Sequence, residues 1–175
     1  MTPLPPPFGS GELVFWRLDR ARFRRTWNSG EGSFLVGGRW SSRGTRAVYA
    51  ALDPATAILE VAVHTSFRAL DTVPHVLTSA RIADASHAHV VGPTDIPNPN
   101  WLRPGAVSAG QQAFGDTMLK AHTFVLLPSV VSTHSWNVVF DPTAAQGAYD
   151  SVAQETFALD TRLHPPIMGR PNAGV

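Results

Sequence analysis

Residues 37–60 read GGRWSSRGTRAVYAALDPATAILE and hold a dense group of chemically notable side chains. Two glycines precede Arg39, Tyr49 follows ten residues later, and Glu60 closes the stretch. The apolar run 47–52 is typical of a short buried strand, and a helix start follows it. We therefore expect a loop arginine, a strand tyrosine and a helix glutamate to be held close together by the rest of the chain.

The helix that carries the glutamate is predicted over 54–64. Asp53 followed by Pro54 is a typical helix start, because an aspartate caps the first turn and proline suits the first helical position. Apolar residues cover most of its helical wheel, and the polar residues fall on one narrow stripe at i, i+4 and i+8: Thr56, Glu60 and His64. A helix with so little polar surface is expected to be buried on most sides, so that Glu60 faces either a thin strip of solvent or a cleft.

Mostly strands are predicted on either side of this stretch. Apolar and β-branched composition predicts strands at 12–18, 75–82, 124–127, 137–140 and 156–159, with Val130 and Val131 continuing the sheet. Helical spacing predicts a helix at 108–121, and glycine or proline content predicts long loops at 19–38 and 92–105. Because strands outnumber helices in a mixed order, the predicted fold is α+β, a single domain with a mixed, mostly antiparallel β core and flanking helices.

Length and composition indicate an ordinary globular protein. The chain has 175 residues, of which 43% are hydrophobic and 15% charged, enough for one domain with a core of its own. We expect a flexible Pro-rich leader at 1–11, the domain at 12–165 and a loose tail at 166–175. No apolar run approaches the roughly 18 residues of a membrane span, and neither a secretory signal pattern nor any cysteine is present, so a cytoplasmic location is predicted.

Positive charge is concentrated in the first third of the chain. Residues 1–50 carry eight arginines against three acidic residues, whereas the remainder has six basic and ten acidic residues. One interpretation is an arginine-rich surface in contact with solvent. The other is a pocket or face for phosphate groups, because a guanidinium pairs with them through two hydrogen bonds.

Common catalytic signatures are absent from the sequence. It has no GxxxxGK[ST], no GxSxG and no HExxH, which disfavours phosphate binding by a P-loop, a hydrolase nucleophile elbow and a zincin metal site. His87 and His89 would share one face of a strand and could bind a metal, but no further ligands lie nearby in sequence. Surface histidines are the favoured interpretation, and no metal is predicted.

Several blocks of the sequence together resemble the signature of the RES domain, a family named for arginine, glutamate and serine. The first block comprises residues 37–40, 44, 48–49 and 57–60. A second block, 127–131 followed by 137–142, is similar to the family's serine motif, and 157–163 is similar to its closing strand. Departures from the family pattern fall at 41–42 and 140–141. Together the matches extend from about Phe15 to Leu163, nearly the whole chain.

The resemblance implies a fold like that of the NAD+-binding ADP-ribosyltransferase toxins. It also implies a role as the toxin of a bacterial type II toxin–antitoxin pair, whose partner is an antitoxin with an Xre-like helix-turn-helix domain that blocks the active site. Members of the family degrade NAD+, and some ADP-ribosylate a protein. NAD+ is therefore the expected substrate, with no metal, no membrane and no direct nucleic-acid contact.

Four positions of this chain match the functional residues of the family. Arg39 is assigned to anchoring the diphosphate or ribose, and Tyr49 to stacking against the nicotinamide ring. Glu60 is assigned to the ribose hydroxyls and to stabilising the positive charge that develops on the ribose. Ser129 would either hydrogen-bond the ribose or orient Glu60.

Two outcomes of the reaction are compatible with such a site. Water or phosphate could take the ribosyl group, which depletes NAD+, or a protein side chain could take it, which makes the protein an ADP-ribosyltransferase. Many transferases of this type have a second acidic residue two positions before the glutamate, and this chain has Ile58 there. The sequence therefore favours breakdown of NAD+.

Two other classes of function stay open. The arginine-rich first third is interleaved with aromatic residues, which is a feature of nucleic-acid binders: Phe15, Trp16, Phe23 and Trp27. A net charge of only +1 and the lack of a recognised binding motif argue against it. A purely regulatory or structural role within a complex is the third possibility.

Overall fold

Seven strands form one sheet in the computed structural model, which describes residues 12–103, 105 and 107–160. The strands are β1 Val14–Arg20, β2 Val48–Ala51, β3 His75–Ile82, β4 Ala88–Val90, β5 Phe124–Pro128, β6 Trp136–Phe140 and β7 Tyr149–Phe157. Their order across the sheet is β4-β5-β6-β2-β1-β3-β7. The pair β4–β5 is parallel and the other pairs are antiparallel. The predicted α+β fold with a mixed, mostly antiparallel sheet is confirmed.

Four α-helices accompany the sheet in the described residues: α1 Glu31–Val36, α2 Pro54–Thr65, α3 Phe67–Thr72 and α4 Ala109–Ala121. Helix α2 begins as predicted, because Asp53 Oδ1 accepts a hydrogen bond from the Thr56 backbone N–H at 2.7 Å and Pro54 takes the first position. In α4 the Ser108 hydroxyl accepts from the Gln111 N–H in the same way, at 3.2 Å. None of the helices in the described part of the chain is long and apolar enough to cross a membrane.

The predicted loop at 19–38 is wrong in part. It contains a 3₁₀ turn at Ala21–Phe23 and the helix α1. Left-handed backbone at Gly30 (φ 64°) and positive φ at Gly37 (77°) mark the two ends of α1, so that only six residues lie between the glycines. Such a short helix shows no sustained period in sequence, and it is held by tertiary contacts such as the Ala47 N–H donating to the Ser33 hydroxyl at 2.6 Å.

Other boundaries also differ from the predictions. Strand β7 begins at Tyr149 rather than 156, and β4 was not predicted. Val130 and Val131 lie in the turn between β5 and β6 rather than in a strand. The predicted leader 1–11 and tail 166–175, and residues 161–163 of the family's closing segment, lie outside the described residues.

Alternating side chains place apolar clusters on the two faces of the sheet. On one face Phe15, Phe124 and Phe140 belong to a cluster with rings 5.4–6.3 Å apart. On the other face Trp16 and Leu18 belong to the cluster that contains Ala62 of α2, and a second cluster there contains Leu119 of α4. Helices α2 and α4 therefore cover the same face of the sheet.

Helix α2 is less buried than its composition predicted. Leu59 is 37% exposed and Val63 60% exposed, whereas Thr56 of the predicted polar stripe is buried. The reason is that α2 packs on the sheet along one side only, through Ile58, Val61 and Ala62. The expectation of a helix enclosed on most sides is therefore wrong. Glu60 is partly buried and faces a cleft, which is one of the two predicted alternatives.

The sheet opens between β1 and β2. Strand β1 pairs with β3 over seven residues, but with β2 only at Trp16 and Ala51. Beyond this single pair, the Arg17 guanidinium spans the gap, because its Nη1 donates to the Tyr49 carbonyl at 2.6 Å. Two neighbouring strands thus diverge at the centre of the sheet, next to α2.

Candidate active site

A cleft of about 780 Å³ adjoins the opening between β1 and β2. Three of the four predicted site residues, Arg39, Tyr49 and Glu60, line it. Ser129 is fully buried and contacts the site through Glu60. The structure therefore brings the four residues together, with three on the wall of the cleft and the serine behind the glutamate.

Glu60 is held by two hydrogen-bond donors that lie much later in the chain. Its Oε1 accepts from the Ser129 hydroxyl at 2.9 Å and from Asn137 Nδ2 at 2.7 Å. The Ser129 oxygen in turn accepts from the Ser132 N–H at 3.1 Å, so the serine proton points to the glutamate. Both bonds use one carboxylate oxygen and fix the orientation of the other.

Asn137 is a site residue that sequence reasoning did not single out. It lies on β6, where its neighbours in WNVVF are apolar, and it lines the cleft while being almost fully buried. A polar side chain in an otherwise apolar central strand is unusual, since a buried amide requires hydrogen-bond partners. That contrast was the available signal in the sequence.

Arg39 sits on a tight turn that Tyr49 supports from below. The turn is closed by the Gly38 N–H donating to the Ser41 carbonyl at 2.8 Å. The Tyr49 hydroxyl accepts from the Trp40 N–H at 3.0 Å and shares a 2.8 Å hydrogen bond with the Ser41 hydroxyl. Gly38 lies so close to the Tyr49 hydroxyl that a Cβ there would overlap it. Burial raises the pKa of Tyr49 to about 12, so the hydroxyl stays neutral.

Helix α4 fixes the same turn from the other side. Gln112 Nε2 donates to the Gly38 carbonyl at 2.9 Å, and Asp116 Oδ1 accepts from the Ser42 N–H at 3.0 Å. Between them, Gly115 lies so near the Trp40 backbone that a Cβ would overlap it. Because residues at i, i+3 and i+4 share a helix face, α4 holds the arginine turn at three adjacent points.

The guanidinium of Arg39 is partly engaged by the chain itself. Its Nη1 donates to the carbonyls of Trp101 at 3.0 Å and Arg103 at 3.4 Å. The Trp101 ring packs against Trp40, with centroids 6.4 Å apart. One of the three guanidinium nitrogens is used by these bonds, which leaves the planar side chain anchored at one corner on the cleft wall.

An ion pair, Arg17 and Asp19, also lines the cleft. Arg17 donates to both carboxylate oxygens of Asp19, at 2.8 and 2.7 Å. Burial raises the pKa of Asp19, and the Arg17 charge opposes that shift. Sequence reasoning missed the pair, although two opposite charges at i and i+2 of a strand share one face.

The described residues contain no group of three or more histidine, cysteine, aspartate or glutamate side chains placed to hold a metal. His89 stacks on His122, with ring centroids 3.8 Å apart and planes within 2°. Burial, together with the charge of His89, lowers the pKa of His122.

The arginines of the first third have mixed surroundings. Arg17, Arg20 and Arg39 line the cleft. Others contact surface partners, as Arg46 does with Glu31 and Arg24 with Gln154. Part of the basic segment therefore lines the cleft, and part of it lies on the surface.

Comparisons with known proteins show which family this chain is similar to. The RES domain family model matches residues 14–162. A protein named Toxin Res from Pseudomonas putida is 30% identical over 155 residues, 86% of this chain and 99% of its own. Another Toxin Res, from Photorhabdus laumondii, is 27% identical over 154 residues, 86% of this chain and 97% of its own. The Prs ADP-ribosylating toxin of Sphingobium sp. is 29% identical over 136 residues, 73% of this chain and 81% of its own.

A solved structure has the same fold. A chain of the M. tuberculosis MbcT-MbcA toxin-antitoxin complex superposes with a TM-score of 0.63, covering 85% of each chain at 16% identity. The motif resemblance and the family match cover the same part of the sequence, from the first strand to the last. This chain belongs to the RES domain family.

Proposed function

We propose that the protein is the toxin of a toxin–antitoxin pair and that it binds NAD+ and cleaves the bond between nicotinamide and ribose. One observation carries the proposal: Ser129 and Asn137 fix Glu60 through one carboxylate oxygen, on the wall of a cleft that Arg39 and Tyr49 also line. Membership of the RES family and the toxin names of three relatives support it.

The reaction requires a negative charge beside the ribose. When the bond breaks, its electron pair goes to the ring nitrogen of nicotinamide, which becomes neutral, and the anomeric carbon of the ribose becomes cationic. Glycosidases stabilise a similar transition state with carboxylates. Glu60 serves this purpose here, and its two donors hold it in place before the charge develops, which is the condition for electrostatic catalysis.

Arg39 and Tyr49 bind the substrate around this carboxylate. Arg39 pairs with the diphosphate, since its anchored Nη1 leaves two further nitrogens on the same planar group. The Tyr49 ring stacks on nicotinamide while its hydroxyl holds the arginine turn. Ser129 orients Glu60 rather than contacting ribose, because it is buried behind the glutamate.

The ribosyl group then passes to a nucleophile. Water or phosphate attacks the cationic carbon and loses a proton, so that NAD+ is depleted and growth stops. A protein acceptor is the alternative, favoured by the relative named Prs ADP-ribosylating toxin. Radiolabelled NAD+ incubated with the protein and cell lysate distinguishes the two, because label ends in free ADP-ribose or its phosphate in one case and on a protein band in the other.

The proposed partner is an antitoxin with an Xre-like helix-turn-helix domain that covers the cleft in the cytoplasm. The fold shared with a chain of a toxin-antitoxin complex supports this partner. Direct binding of nucleic acid by the toxin is the lower-ranked alternative. Measurable DNA or RNA affinity of the isolated chain that falls steeply with salt would favour it.

Glu60 variants test the proposed chemistry. Glu60→Ala is expected to abolish nicotinamide release from NAD+ in a protein that stays folded by circular dichroism. Glu60→Gln keeps an oxygen that accepts from Ser129 and Asn137 but removes the charge, so we expect a rate at least about 100-fold lower. Glu155→Gln, at an exposed position of β7, is the matched control, and we expect it to keep full activity. Unchanged release by either Glu60 variant would remove this residue from the mechanism.

A further inference from the structure

Phe23 is an aromatic side chain left uncovered at the cleft. It ends the 3₁₀ turn that follows β1, is 44% exposed and lines the cleft. The guanidinium of Arg22 lies over its ring at 4.6 Å from the centroid, which occupies one face. The remaining exposed surface of the ring borders the cleft and can contact a ligand there.

Strand β1 sets the distance between Phe23 and the glutamate. Trp16 pairs with Ala51, and Ala51 pairs with Asn137, the residue that holds Glu60. From Trp16 the strand runs four residues to Arg20, which is about 13 Å at 3.3 Å per residue, and Phe23 follows after one turn. Phe23 and Glu60 therefore lie at opposite ends of the cleft.

The arginine turn lies between these ends. Tyr49, which supports the turn of Arg39, is two residues before Ala51 in β2. Because β2 is antiparallel to β1, this step leads from the Glu60 end toward the Phe23 end. The order along the cleft is thus a carboxylate, a guanidinium and an exposed aromatic ring.

We propose that Phe23 is the platform on which the adenine ring of NAD+ stacks. The inference rests on the proposed function, and it adds a subsite that recognises the dinucleotide rather than the nicotinamide half alone. The order of groups in the cleft matches the order of nicotinamide ribose, diphosphate and adenine in the substrate. Val36 and Val63, 80% and 60% exposed, line the same cleft and supply apolar contacts for a flat ring.

Kinetics with two substrates test this subsite. Nicotinamide mononucleotide has the same scissile bond as NAD+ but lacks the adenylate half. Phe23→Ala is expected to raise KM for NAD+ about 5- to 150-fold, the range that base–aromatic stacking gives, with kcat within about twofold. The same variant should leave kcat/KM for the mononucleotide unchanged, and Phe23→Trp should restore a low KM for NAD+.

Phe34 provides a matched control elsewhere on the surface. It is 38% exposed and has Arg46 over its ring at the same 4.6 Å, but it is not part of the cleft wall. Phe34→Ala should therefore leave both substrates unaffected. An unchanged KM for NAD+ in Phe23→Ala, an equal rise in Phe34→Ala, or an equal loss on the mononucleotide would overturn the adenine platform.

Calorimetric binding of ADP-ribose separates this inference from the proposed chemistry. If the wild-type protein released nicotinamide from neither substrate, the proposed function would fail, but binding would still test the platform. Weaker binding in Phe23→Ala than in Phe34→Ala supports it. Equal binding in the two variants, or no binding by the wild-type protein, overturns it.

Discussion

Tyr49 joins three parts of the site. Its hydroxyl bonds to the Trp40 N–H and the Ser41 hydroxyl, and its carbonyl accepts from Arg17. The ring lines the cleft between these contacts. Tyr49, whose ring is proposed to stack on nicotinamide, therefore also supports the arginine turn. The two roles are separable, because only the support of the turn requires the hydroxyl.

The pH dependence of stability should reveal this buried hydroxyl. Its pKa is about 12 in the folded protein and about 10 in an unfolded chain. Between these values the unfolded chain releases the proton while the folded chain keeps it, so unfolding becomes more favourable as pH rises. Wild type is expected to lose about 3 kcal/mol more than Tyr49→Phe across this window.

Urea denaturation of both proteins between pH 9 and 12 measures the difference. Below pH 10 Tyr49→Phe should be the less stable of the two proteins, by about 1–3 kcal/mol, because the Trp40 N–H loses its buried acceptor. Parallel pH profiles for the two proteins would contradict a buried, hydrogen-bonded hydroxyl.

The sequence predicted the site residues that lie close together along the chain or match the family motif. Arg39, Tyr49 and Glu60 stand within one stretch of 24 residues, and the family resemblance added Ser129. Asn137 and the Arg17–Asp19 pair become site residues only through strand pairing and the divergence of β1 from β2. A polar side chain in an apolar strand, or two opposite charges at i and i+2, does not show which distant strands pair, so the place of these residues in the site required the structure.

At the scale of elements, α4 and the arginine turn behave as one unit. Gly115→Ala is expected to force the Trp40 backbone away, lowering the free energy of unfolding by about 1–3 kcal/mol and raising KM for NAD+ because Arg39 moves with the turn. Gly110→Ala in the same helix has open space for its Cβ and should stabilise the protein slightly. Denaturation curves and KM for both variants check this, and equal effects would contradict the contact.

Local signals explain which elements were predictable. Helix α2 was predicted because Asp53 and Pro54 specify its start within two residues. Helix α1 depends on Gly30 and Gly37 in positive-φ backbone and on Ser33 contacts to residues 45–47. The three-residue β4 exists through its pairing with β5. Helix α1 and strand β4, which depend on contacts with distant residues and are short, were missed, whereas α2, whose start is specified by its own capping residues, was predicted.

At the scale of the whole molecule, Arg17 links the two strands where the sheet opens, because it donates to the Tyr49 carbonyl of β2 and pairs with Asp19 on its own strand. Arg17→Ala is expected to lower the free energy of unfolding by about 2 kcal/mol, because Asp19, 10% exposed, loses its partner. It should also raise KM for NAD+, since β1 and β2 lose their bridge along the cleft. Adding Asp19→Ala should recover part of the stability but not the KM.

Arg81 is the matched control for this prediction. It donates to both oxygens of Asp150 at 2.8 and 2.7 Å, the same geometry as Arg17 and Asp19, but on the surface. Exposed pairs contribute little, so Arg81→Ala should change neither stability nor KM appreciably. Comparable losses from the two arginine variants would show that the position of Arg17 in the cleft is unimportant.

The hydrogen bonds to Glu60 also govern when this site can exist during synthesis. The glutamate and the arginine are made within the first 60 residues, but the donors to Glu60 come 69 and 77 residues later, and the clamp on the arginine turn comes from residue 112. At 5–20 residues per second, a ribosome needs about 4–15 s to close that interval. An incomplete chain thus carries the glutamate without the donors that orient it, and a cell making this protein meets the assembled site only after most of the chain has been translated.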